Sequence, residues 1–299
     1  LTFRSLLGAA SAFAVLTLLS GCAADSTGVS ESLRVATKNA ATPREELTAA
    51  TDLLTAKCLD QDGFKVPTVA APVYEVRPSI TGYTGLFTST AEAKREGYGT
   101  TIKAPSAAPL DSYRATLSGQ DRKRFDRALL GDPKDVVKIT LSNGATASKP
   151  SGGCSGRALE AVYGSVKDEL RVEVIQNEIL MLATNPAIER ALRERLPQYQ
   201  RCMAQRGVGV TGLNAAETVG ASLGQYRQPG EAPSSHESKL AAEDAGCQAR
   251  AKLSSTLDSA LYETAQTWLR DHHEQIQRAS SIVDDAAPKA AFILDGKDE

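Results

Sequence analysis

The feature that most constrains this chain is an ordered repeat built around four cysteines. Cys58-Leu-Asp-Gln61-Asp-Gly63-Phe-Lys-Val66 aligns with Cys202-Met-Ala-Gln205-Arg-Gly207-Val-Gly-Val210 in a shared C-x-x-Q-x-G-x-x-V pattern. Gly153-Cys154-Ser-Gly-Arg157-Ala158 aligns with Gly246-Cys247-Gln-Ala-Arg250-Ala251 in a shared G-C-x-x-R-A pattern. Four cysteines allow three disulfide connectivities, and spacing alone does not choose among them. The order of the motifs, first-second-first-second, predicts two related modules, each closed by its own bridge: Cys58 to Cys154 and Cys202 to Cys247. Coincident short motifs with crossed pairing are the alternative. On a chain-entropy argument each such loop contributes roughly 4 to 5 kcal/mol, less any strain in the native state. A zinc or reactive-thiol reading is weaker, because the sequence holds no C-x-x-C and no histidine close to a cysteine.

Bridges need an oxidising compartment, and the start of the sequence supplies an address for one. Arg4 precedes an apolar run from Leu6 to Leu19, followed by Leu19-Ser20-Gly21-Cys22. A charged n-region before an apolar h-region is the pattern of a secretory signal peptide. The run is too short and too rich in small residues for a membrane-spanning helix. Its end resembles the bacterial lipobox, in which the cysteine thiol takes a diacylglyceryl group before acylation with fatty acids such as palmitate. Cys22, the fifth cysteine, is therefore the expected lipidation site, and residues 1–21 the expected signal peptide. Small polar residues after Cys22 predict a flexible tether over 22–41. A first module over 42–184 and a second over 185–299 complete the expected organisation.

The rest of the chain reads as mainly α-helical. Thr42-Pro43-Arg44-Glu45, Ser89-Thr-Ala-Glu92 and Ser234-Ser-His-Glu237 have capping-box spacing, and Asn185-Pro186 marks another helix start. Gly63 and Gly207 are expected helix stops, and Pro197 is expected to kink or restart its helix. A charged amphipathic helix is expected from Asp121 to Leu130. Prolines and glycines between Phe64 and Leu86, with β-like pieces such as 73–77, predict an irregular or small-sheet insertion in the first module. Lys134 to Thr140 is a candidate strand turned at Asn143-Gly144. Thr211 to Pro233 reads as a loop with a short helix. Apolar residues then recur at helical spacing from Leu240 to Ala279. A continuous helix there would run about 70 Å, unless it breaks near Gly246.

Residues able to carry chemistry are sparse. The 299 residues carry a formal net charge of −2 and only three histidines. The charge excludes the basic excess expected of a nucleic-acid binder. Ser155 lies in Gly152-Gly-Cys-Ser-Gly156, whose second glycine is one position too early for a nucleophile elbow. His272-His273-Glu274 lacks the H-E-x-x-H spacing, and adjacent histidines on a helix point about 100° apart. Asp244, three residues before Cys247, is expected to pair with Arg250 or to cap a neighbouring element. Tyr98, in Gly97-Tyr98-Gly99, is either a stacking aromatic for a ligand or a ring that anchors a turn. No catalytic, cofactor-binding or metal-ligating set is expected.

Taken together, these motifs resemble those of uncharacterised envelope lipoproteins from high-GC Gram-positive (actinobacterial) bacteria, over most of the chain after Cys22. The matching residues are Cys58 with Gly63-Phe64, Gly97-Tyr98-Gly99, Gly153-Cys154, Cys202-Met203 with Gly207, and Asp244 with Cys247. Leu59 replaces methionine, Tyr199 stands where tryptophan is usual, and Val208 replaces an aromatic. These exchanges keep apolar bulk and fit packing roles. The resemblance implies an envelope location and no defined activity. The expected function is a non-catalytic accessory or binding protein, lipid-anchored through Cys22 on the extracytoplasmic face of a bacterial cell membrane and contacting an envelope protein or a cell-wall polymer. The alternatives are a solute-binding lipoprotein of an ABC importer and, last, an envelope hydrolase.

Overall fold

The computed structural model describes residues 28–67, 79–98, 109–141, 144–213, 215 and 232–296. The expected signal peptide, Cys22, the β-like pieces over 73–77 and most of the 211–233 loop lie outside them. The described chain is mainly helical, as its periodicity predicts. In order it forms α1 (Glu31–Ala41), α2 (Glu45–Gln61), α3 (Thr90–Glu96), α4 (Pro109–Thr116), α5 (Gly119–Leu130), β1 (Val136–Thr140) and β2 (Thr146–Pro150). There follow α6 (Gly153–Tyr163), α7 (Val166–Leu182), α8 (Pro186–Ala204), α9 (Ser235–Ala251), α10 (Leu253–Thr264), α11 (Gln266–Asp271) and α12 (His273–Leu294). The two strands pair antiparallel, Val136 opposite Pro150 and Thr140 opposite Thr146. Lys149 ties this hairpin to α7 through Glu169 at 2.6 Å and Glu173 at 2.5 Å. No helix among the described residues is long and apolar enough to cross a membrane.

Both bridges form as the repeat predicts, Cys58–Cys154 and Cys202–Cys247, each with 5.5 Å between Cα atoms. Each joins the C-terminal part of one helix to a later helix: α2 to α6, and α8 to α9. The two bridged pairs do not stand apart as their sequence ranges suggest. The short helix α3, early in the chain, packs on α9, whereas the C-terminal α12 packs on α1, α2, α6 and α7. One core runs from Val29 to Ile293, and a smaller satellite gathers Leu59, Phe64, Phe125 and Cys154. A division at 184/185 therefore cuts the sequence but not the core.

The expected tether over 22–41 is corrected for its second half. Ser30 caps α1 by accepting from the Leu33 N–H, and Leu33, Ala36, Ala40 and Ala41 are buried. The Asn39 amide donates to the Ser280 backbone oxygen, the Ser280 hydroxyl and Asp284 on α12. Arg34 lies over the Tyr262 ring at 5.0 Å. Alanine-rich, sparsely apolar sequence reads as linker composition, yet its small side chains suit close helix packing.

Helix ends follow the caps in most places. Ser89 and Ser234 accept from the N–H of Glu92 and Glu237, and Asn185 accepts from that of Ala187. Thr42 departs from expectation, because it closes α1, and α2 starts at Glu45 without a side-chain cap. Gly63 and Gly207 end their helices at φ of +86° and +80°. α8 continues through Pro197, held on both sides by buried Ile188, Leu192, Tyr199 and Met203. The long C-terminal run does not break at Gly246, which stays inside α9. It breaks at Lys252, in the left-handed conformation, and again at Ala265 and His272. These bends let Leu257, Leu261, Leu269 and Ile276, all fully buried, share one core. The last piece, α12, is the long C-terminal helix, 22 residues.

Candidate functional site

Three of the motifs that stand out in the sequence, those around Tyr98, Cys202 and Cys247, meet in one region, between α3, α8 and α9. α3 ends at Gly97, whose φ of +66° and ψ of −145° suit only glycine. The turn drives Tyr98 into the core at 7 % exposure, tilted against Phe87 at 5.8 Å. α8 delivers Tyr199 and Cys202. The inner face of α9 delivers Glu237, Asp244, Cys247 and Gln248, all buried.

Asp244 is the centre of this cluster. Its Oδ1 accepts from the Tyr199 hydroxyl at 2.9 Å and from the Gln248 amide at 3.0 Å. The same Gln248 amide donates to the Gly85 carbonyl at 2.9 Å, and the Phe87 N–H donates to Gln248 Oε1 at 2.9 Å. The Tyr98 N–H donates to Glu237 Oε1 at 3.0 Å. The Tyr98 hydroxyl is buried beside the same Asp244 carboxyl, without a well-formed hydrogen bond to it. Burial pushes the Asp244 carboxyl up to about 6, against the opposing pull of Tyr199, Gln248 and Tyr98. Burial, with Asp244 close by, also pushes the Tyr98 and Tyr199 phenols well up. A carboxyl with this ionisation has the chemistry of a general acid or base, but at 2 % exposure it is closed off from solvent. What it does is clamp the 85–98 segment and α8 onto α9.

The sequence candidates sort accordingly. Asp244 pairs with neither Arg250 nor a helix cap, contrary to expectation, because the inner face of α9 turns it away from solvent. Tyr98 is a core anchor and not an exposed stacking ring. Ser155 sits in the first turn of α6, half-buried. His272 interrupts the helix, its Nδ1 2.8 Å from the Trp268 carbonyl oxygen and its ring stacked on Trp268 at 4.3 Å. His273 Nδ1 instead lies 2.9 Å from the Arg270 oxygen, so the two rings do not converge. Among the described residues, Cys58, Asp62 and Cys154 come close enough together to suggest a metal. The two sulfurs are bonded to each other, so they offer no thiolate ligands. Arg157 covers this bridge, its Nη2 2.7 Å from Cys58 Sγ.

The outer face of α9 carries what sequence reading missed. There Lys239 and Arg250, with Lys94 from α3 and Arg206 just beyond α8, border an open cleft of about 680 Å³. Among the described residues, Glu243 is the one acidic residue that lines it. The spacing of Ser235, Ser238, Lys239, Ala242, Gly246 and Arg250, at helical intervals of three, four, seven, eleven and fifteen, was the available signal. It was hidden because Lys94 and Arg206 join the stripe only through the fold. A second, apolar groove of about 550 Å³ lies between α2, α6 and α12, beside half-exposed Phe292.

No family model, curated protein or solved structure matches this chain.

Proposed function

We propose that this chain is a lipid-anchored protein of the extracytoplasmic face of a bacterial cell membrane that works by binding, as an accessory protein of the envelope, and not by catalysis. The observation that carries the reading is the fate of the cysteines. Four of the five close two bridges with each other, which leaves Cys22, the cysteine that ends the Leu19-Ser20-Gly21-Cys22 motif. Two long-range disulfides favour an oxidising compartment. The resemblance to actinobacterial lipoproteins points the same way.

Binding is favoured over catalysis because the polar groups that converge are buried and engaged in holding helices together. The accessible cleft is lined mainly by cations and hydroxyls, with no histidine or cysteine among the described residues that line it. The importer reading needs two sheet-based lobes around a deep cleft, whereas the sheet in the described residues is one two-stranded hairpin. On this reading the anchor is short. Val29 is already buried at 2 % exposure, so at most residues 23–28 separate the lipid from the fold, a reach of no more than about 20 Å. The domain would then sit close against the membrane.

The test is metabolic labelling with radioactive palmitate in a Gram-positive host, followed by fractionation. The wild type takes up label and stays with the membrane. Cys22→Ala loses the label and leaves the membrane fraction. Membrane retention of Cys22→Ala after signal cleavage, or an unlabelled wild type, overturns the reading.

A further inference from the structure

We propose that the basic cleft along α9 binds a phosphodiester-linked polyanion. This deepens the binding reading above and rests on it only for where the ligand is met. Lys94, Arg206, Lys239 and Arg250 are all exposed or half-buried at the cleft rim. None of them forms an ion pair among the described residues. Elsewhere the surface pairs its arginines readily, as Arg95 with Glu96 and Arg114 with Asp126 show. Among the described residues, four cations without an ion pair surround one concavity against the single carboxylate of Glu243, which concentrates positive potential where a ligand can enter.

Shape argues for an extended ligand. The lining residues of α9 run from Ser235 to Arg250, about 22 Å along the axis at 1.5 Å per residue. Ala242 and Gly246 form a low floor between the basic residues, so a chain can lie along the helix. Arginine favours phosphate because its planar fork donates two hydrogen bonds at once. Ser235 and Ser238 add hydroxyl donors at the start of α9. A compact single ion would leave most of this length empty.

A membrane surface is the weaker occupant. Interfacial binding combines basic residues with large apolar side chains that enter the bilayer. The exposed large apolar residues of the described chain are Val35, Leu130, Val136, Met181, Phe292 and Leu294, and none of them lines this cleft.

The experiment measures fluorescence anisotropy of a labelled poly(glycerol phosphate) oligomer against the full chain purified in non-ionic detergent. The competitors are polyglutamate of equal charge and phosphatidylglycerol mixed micelles. Saturable binding that weakens steeply with salt is expected. Arg206→Ser with Arg250→Ser lowers affinity tenfold or more at unchanged melting temperature. Glu243→Gln tightens binding two- to threefold, a gain that misfolding does not produce. Each competitor is at least tenfold weaker than unlabelled oligomer. The proposal is overturned by absence of saturable binding at low salt, or by wild-type affinity in the double variant. Equal competition by polyglutamate would show unselective attraction, and stronger competition by the micelles a membrane-binding surface; either also overturns it. Failure of the lipid-anchor reading appears in the Cys22→Ala fractionation and leaves this binding curve unmoved.

Discussion

Replacing Asp244 by asparagine should remove a pH dependence that the wild-type fold carries. The Asp244 carboxyl ordinarily titrates at 3.8 and is pushed up to about 6 by burial. Between those values the native state holds a proton that the unfolded chain has released. Stability from this group is therefore fully present below about pH 4 and is lost as pH rises through about 6. The gap corresponds to roughly 3 kcal/mol at most. The carboxamide of the variant is neutral at every pH. Its oxygen can still accept from Tyr199 and Gln248, and its amide faces the adjacent Tyr98 hydroxyl. The assay is urea unfolding of wild type and Asp244→Asn at intervals from about pH 4 to pH 8. Other carboxyls raised by burial, including Glu169 and Asp258, titrate in both proteins and cancel in the difference. Wild-type stability relative to the variant should fall by up to about 3 kcal/mol between pH 4 and pH 7 and then level off. A difference that stays flat would show that Asp244 titrates as if exposed. A difference that rises with pH would show that its donors hold the carboxylate charged, and either result refutes the reasoning.

The bridges and the Gly97 turn give two further expectations. Cys58→Ala with Cys154→Ala, and Cys202→Ala with Cys247→Ala, should each cost about 4 kcal/mol in the urea midpoint analysis, because the loops span 96 and 45 residues; peptide mapping without reductant should recover only Cys58–Cys154 and Cys202–Cys247 fragments, and a Cys58–Cys202 fragment would contradict the fold. Gly97→Ala should cost more than Gly63→Ala. Both glycines have positive φ, but an added Cβ at Gly97 falls 2.3 Å from Glu237 Oε1 and 2.8 Å from Pro233 Cβ, whereas at Gly63 it meets nothing within 4 Å. Strain alone predicts about 1–2 kcal/mol at Gly63, and a loss at Gly97 no greater than that would show that the Glu237 contact is dispensable.

What the sequence made legible, and what it hid, follows from the range of the physics involved. Helices announce themselves through caps and periodicity, which are local, so Ser89, Asn185, Ser234, Gly63 and Gly207 could be read in place. The disulfide pairing is non-local, yet it was readable because the repeat encodes it twice. Interhelical packing has no such copy. Residues 31–41 look like linker, and only the contacts of Asn39 with Ser280 and Asp284 reveal α1 as part of the core. The same limit applies to the two arginines that the repeat equates. Arg157 and Arg250 each follow a bridged cysteine by three residues, on equivalent helices. Arg157 lies against its disulfide, 2.7 Å from Cys58 Sγ, while Arg250 borders the basic cleft. Their motif is one, but α9 has α3 beside it, and α3 brings Lys94 to the outer face and Tyr98 to the inner one. A short helix inserted early in the chain thus separates the fates of the two copies: the first remains a staple, and the second becomes a staple with a charged cleft on its back. The difference between the two copies of the motif, more than their likeness, is where a function for this fold should be sought.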